Sequence, residues 1–150
     1  MAGEARTTGI WIGRPVEKVY GYLAEPRNFP DWASGLCTSI ARDARCSGEE
    51  WLAETPYGPM RVRFTASNPH GVLDHHVIPE AGPAIRVPMR AVAHAGGTLV
   101  TLTLLRQPDM TDAKFDEDAR WVERDLATLK RVLEEHIPPI VPPTMVATKE

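Results

Sequence analysis

Apolar positions along this chain switch between a period of two and a period near 3.6. Residues 7 to 12, "TTGIWI", suit a short first strand. Directly after it, Val16, Val19, Tyr20 and Leu23 fall at i, i+3, i+4 and i+7, one face of a helix. Pro15 fits the first helical turn, where its missing N–H costs nothing, and Pro26 ends the helix. The segment "EPRNFPDWASG" reads as a second, shorter helix: Asn28 caps it, Pro30 sits in its first turn, and Gly35 stops it.

From residue 36 to 106 the period of two takes over, in short pieces separated by turn residues. In "MRVRFTAS", Met60, Val62 and Phe64 alternate with Arg61, Arg63 and Thr65, which predicts a strand with one dry and one wet face. "VLDHHVI", "AIRVPMRAVAH" and "TLVTLTLLR" continue the series, and Pro88 inside the second argues for an edge or a bulge there. Beyond Pro108 the helical period returns. Phe115, Ala119, Val122, Leu126, Leu129 and Leu133 form a continuous stripe, with charges on the other face. Thr111 or Asp112 can cap this helix, which at roughly 24 residues is about 36 Å long. Prolines then exclude helix from residues 138–150, read as an extended tail, so the predicted domain is residues 1–137.

The order is strand, two short helices, a run of strands and one long amphipathic helix. An antiparallel sheet needs its apolar face covered, and only the last helix is long enough to do it. The expected fold is therefore α+β: an antiparallel sheet of about seven strands curled around the C-terminal helix, with a space between them that could hold an apolar ligand.

Composition narrows the partners. At 150 residues, 43% hydrophobic and 25% charged, the chain is an ordinary soluble domain. Its net charge is −3 with no Lys/Arg stripe, which makes nucleic acid a poor partner. No apolar run reaches the ~20 residues of a membrane span. Cys37 and Cys46 lack metal or redox spacing and read as thiols in a reducing cytoplasm. No phosphate-loop or GxSxG signature occurs.

Pro15, Glu17, Val19 and Tyr20, then "EPRNFPDW" ending in Trp32, then "RWVERDLATLKRVLE" near the end, resemble the START-like, birch-pollen-allergen-like superfamily. The closest branch is the bacterial polyketide cyclase/dehydrase and lipid-transport (SRPBCC) group. The resemblance covers nearly the whole chain in order and spacing. It implies a helix-grip fold with a hydrophobic cavity between sheet and long helix, and it implies no shared catalytic set, because the fold hosts many functions.

The sharpest local feature is "VLDHHV". Asp74, His75 and His76 are residue types that bind zinc or move protons, but neighbours in a strand point to opposite faces. Leu73, His75 and Val77 make the apolar stripe. Asp74 and His76 make the other stripe, read as outer and solvated. Only Asp74 and His76 share a face and no HxxxH or HExxH spacing exists, so neither a metal site nor a cofactor is expected. His75 is the candidate polar contact of the cavity, fixing a ligand's hydroxyl or carbonyl or acting as acid/base. The predicted lining takes Trp51, Phe64, His75, Met89 and Leu102 from the sheet, and Trp32, Val122 and Leu126 from the helices. Arg61 and Arg63 are read as a solvated face paired with acids such as Glu50 and Glu54.

The expected function is binding of a small hydrophobic molecule (lipid, polyketide or aromatic) as a cytoplasmic carrier or sensor. One alternative is a polyketide cyclase/dehydratase using His75. Another is an interaction module docking through the long helix or the tail. Assembly into a homodimer is left open.

Overall fold

A computed structural model describes residues 3–42, 44 and 46–136. The proline-rich tail predicted for residues 138–150 lies outside the described residues. The chain runs β1 (Ala5–Ile12), α1 (Val16–Leu23), a 3-10 turn (Pro26–Asn28), α2 (Phe29–Trp32), β2 (Ser39–Ala41), β3 (Glu50–Thr55), β4 (Gly58–Phe64), β5 (His75–Ile78), β6 (Ile85–Val87), β7 (Met89–His94), β8 (Gly97–Leu105) and α3 (Asp112–His136).

The elements are those of a helix-grip fold, but the sheet differs from expectation. Among the described residues there are eight strands, where about seven were expected. They form a three-stranded sheet, β1-β8-β7, and a five-stranded sheet, β2-β3-β4-β5-β6, antiparallel throughout. Pro88 is the reason. It has no N–H for a ladder, so "AIRVPMRAVAH" breaks there: β6 pairs with β5, and β7 turns to pair with β8. Backbone bonds stitch the two sheets together beside the break. Leu73 N–H donates to Met89 O (2.9 Å), Ala91 N–H to Gly71 O (3.0 Å) and Thr103 N–H to Pro88 O (2.9 Å). Gly71 has φ +72°, and a Cβ there would collide with the Ala91 carbonyl oxygen, so only glycine serves.

The long helix follows its stripe. Phe115, Ala119, Leu126, Leu129 and Leu133 are buried, and Leu126, Leu129 and Leu133 join Ile12, Val100 and Leu102 in the core. Each such large side chain contributes roughly 1.5–3 kcal/mol by burial. Thr111 Oγ1 accepts the Lys114 N–H (3.0 Å), as an N-cap should. At the other end Arg14 donates to the carbonyls of Leu133 (3.1 Å) and Glu134 (2.8 Å), which lack intrahelical partners.

The short helices depart from prediction in detail. Asn28 does not cap α2 with its side chain. Its amide donates to Tyr22 O (3.0 Å), while the Glu25 carboxylate accepts the Arg27 N–H and caps the 3-10 turn. Gly35 is needed less as a stop than for contact: a Cβ there would lie 2.5 Å from Cε3 of Trp121 on α3.

Candidate functional site

Strand alternation places the "LDHHV" side chains. Leu73, His75 and Val77 are buried; Asp74, His76 and Ile78 are only partly so. His75 is 2% exposed and lies opposite Phe64 on β4 and Val87 on β6. Its ring stands edge-on to Phe29 (centroids 5.4 Å, 83°) and tilted against Phe64 (5.9 Å, 34°). Phe29 is the hub, also meeting Trp32 (5.3 Å, 85°) and Phe64 (5.6 Å, 84°) in T-shaped contacts, the favoured aromatic geometry.

His75 Nδ1 lies 3.2 Å from Leu73 O. A carbonyl oxygen only accepts, so this bond requires the proton on Nδ1. Burial pushes the imidazole pKa down to about 4, outweighing the opposing pull of the Leu73 carbonyl and of Asp74. His75 is therefore a neutral ring near pH 7.

These aromatics wall a small recess, with about 20 Å³ of room for water-sized molecules inside a wider empty space of about 310 Å³ that includes open solvent. The helices contribute Leu23, Ala24, Phe29 and Trp32; the sheet side contributes Phe64, Thr65, Leu73, His75 and Met89. Of the predicted lining, Trp32, Phe64, His75 and Met89 come together here. Trp51, Leu102, Val122 and Leu126 do not. Leu102 and Leu126 are committed to the core, with Val122 packed against it. Trp51 instead carries the guanidinium groups of Arg27 (5.0 Å) and Arg42 (5.7 Å) over its ring. The recess thus lies between the short helices and the sheet. None of the residues lining it is on the long helix.

Asp74 is not the solvated residue expected either. Its Oδ1 accepts the Met89 N–H (2.8 Å) and an Arg90 N–H (3.0 Å), and Arg86 lies 3.4 Å from Oδ2. It pins the sheet junction. His76 sits in an outward row with Glu50, Arg63 and Arg86. Glu50 pairs with Arg61 (3.3 Å) and Arg63 (3.9 Å), so the arginines meet one of the two acids anticipated. Among the described residues no group of three or more His, Cys, Asp or Glu could hold a metal ion. No described helix is long and apolar enough to cross a membrane.

Sequence reasoning missed Phe29, Thr65, Leu23, Ala24 and Leu73. The i, i+3 spacing of Phe29 and Trp32 was a usable signal, since it puts both rings on one side of a helical turn. It also missed Asp125 on α3. Burial raises the Asp125 carboxyl to about 6, although it accepts the Gly35 N–H. Burial, helped by Asp125, pushes the nearby Cys37 thiol up to about 11.

No protein-family model matches this chain, and no curated protein does. Solved structures match over nearly the full length. XoxI from Bacillus cereus is similar at 15% identity, covering 93% of this chain and 100% of its own, with a TM-score of 0.72. A START superfamily protein from Mycobacterium smegmatis covers 89% and 99% at 10% identity and TM-score 0.68. The structure of Ara h 8.0201 covers 87% and 97% at 10% identity and TM-score 0.58. The fold is that of the START-like, birch-pollen-allergen-like proteins, as the sequence resemblance implied.

Proposed function

We propose that this protein binds a small hydrophobic molecule, as a carrier or sensor, in the recess between its short helices and its sheet. The observation that carries the reading is the wall itself. Phe29, Trp32 and Phe64, with Leu23, Leu73 and Met89, make a concave apolar surface that opens to solvent rather than closing on itself. Ligand sites are typically of this kind, apolar walls with few polar groups. The small room inside, about 20 Å³, favours a compact aromatic over a long acyl chain.

The cyclase/dehydratase alternative draws less support. A general base works best with a pKa near the operating pH, and His75 is depressed to about 4. Thr65 and the indole N–H of Trp32 are the other polar groups of the wall, and the Thr65 hydroxyl donates to Asp74 O (2.6 Å). No carboxylate, tyrosine or arginine joins them in that wall.

Native mass spectrometry of the purified protein, followed by titration with 2-naphthol monitored by fluorescence, tests the reading. Saturable binding that Ala24→Trp abolishes at the mouth supports it. An empty protein that binds no aromatic or lipid probe refutes it.

A further inference from the structure

The recess has a chemical polarity as well as a shape. With Nδ1–H committed to Leu73 O, the neutral ring of His75 leaves Nε2 as a bare lone pair. Nε2 makes no hydrogen bond to the protein. His75 keeps 2% of its surface exposed. The opening that His75 borders is the recess. Thr65, also in the wall, already spends its hydroxyl proton on Asp74 O, so it too offers an acceptor. The wall holds no charged side chain, and its side-chain N–H donor is the indole of Trp32.

We infer that His75 Nε2 is a specificity-determining acceptor that selects ligands carrying a hydroxyl or N–H donor on an aromatic body, phenols foremost, over isosteric ethers and carbonyl compounds. The inference rests on the binding reading above and deepens it. A carbonyl brought to Nε2 meets only a lone pair. A methyl ether leaves Nε2 desolvated and unpaired, the costly side of hydrogen-bond energetics. A phenol satisfies it. The same locked tautomer makes the selection one-sided, because the ring cannot turn donor toward the recess without giving up Leu73.

The test compares 2-naphthol with 2-methoxynaphthalene and 2-naphthaldehyde by fluorescence and calorimetry at pH 7.5, on wild type and His75→Phe. Wild type should prefer the naphthol by roughly tenfold or more, the worth of one desolvated neutral hydrogen bond. In His75→Phe that ratio should fall to near one while the ether still binds. Equal affinity for all three compounds in wild type, or a preference that survives His75→Phe, overturns the donor selection yet leaves hydrophobic binding standing. If none of the three binds wild type, the binding reading fails and this inference fails with it. Long-range 15N NMR of the histidine ring gives a readout that needs neither variant nor ligand. A pyridine-like Nε2 and a protonated Nδ1 are expected, and a proton on Nε2 overturns the inference.

Discussion

His75 shows how one buried side chain couples chemistry to stability. The unfolded chain protonates it near the ordinary 6.5, the folded chain only near 4. Between those values the unfolded state holds more protons, so acidification through this window destabilises the fold, by up to about 3 kcal/mol. Asp125 has the opposite sign. Its carboxyl rises from 3.8 to about 6, so between them the folded state holds the extra proton and acidification stabilises. The two effects oppose each other over overlapping windows, and wild-type stability should change little from pH 6 to pH 4 on their account. His75→Phe removes one side of the balance. Relative to wild type, the variant should gain stability as pH falls from 7 to 4.5, seen as a narrowing or reversal of the gap in urea midpoints. A gap that is constant with pH would contradict the burial argument. Alternation put His75 and His76 on opposite faces, and the apolar neighbours Leu73 and Val77 pointed to His75 as the inward one. The roles of Asp74 and Asp125 were not, because each depends on partners at the sheet junction or on a loop, more than ten residues away in sequence for Asp74's backbone contact with Met89.

At the scale of elements, the break at Pro88 decides where the recess can form. Period-two patterning finds the strands but carries no information on which sheet a strand joins, so one curled sheet and two stitched sheets look alike in sequence. Pro88 marked the place; only the pairing of β7 with β8 shows the consequence. The junction is held by Asp74 and by Gly71. Asp74→Asn exchanges a carboxylate shared by a backbone N–H and two arginines for an amide that accepts at one oxygen. It should cost about 1–3 kcal/mol, read from chemical denaturation. Gly71→Ala adds a Cβ against the Ala91 carbonyl at positive φ. It should cost at least as much and lower hydrogen-exchange protection at the amides of Leu73 and Ala91 first. Uniform loss of protection across both sheets would show instead that the junction unfolds only with the whole domain.

For the whole molecule, the separation of core from recess is the property that matters. The helix-grip resemblance implied a hollow between sheet and long helix, and the apolar stripe of α3 was read in sequence as both core and lining. Volume resolves that ambiguity. Phe115, Leu126, Leu129 and Leu133 are exposed by zero or 1%, and close-packed interiors hold few voids larger than a water molecule. Stability and binding should then respond to different residues. Leu129→Ala should lose roughly 2–5 kcal/mol by cavity formation, yet keep its affinity for 2-naphthol under conditions where it remains folded. Ala24→Trp places an indole at an exposed mouth position; it should leave the denaturation midpoint within about 0.5 kcal/mol of wild type while abolishing binding. The crossed pattern is the informative result, measured by pairing denaturation with ligand titration on both variants. If Leu129→Ala weakened binding as much as it weakened folding, the ligand would have to reach the space under α3, and the recess would be only the vestibule of a cavity that opens on binding.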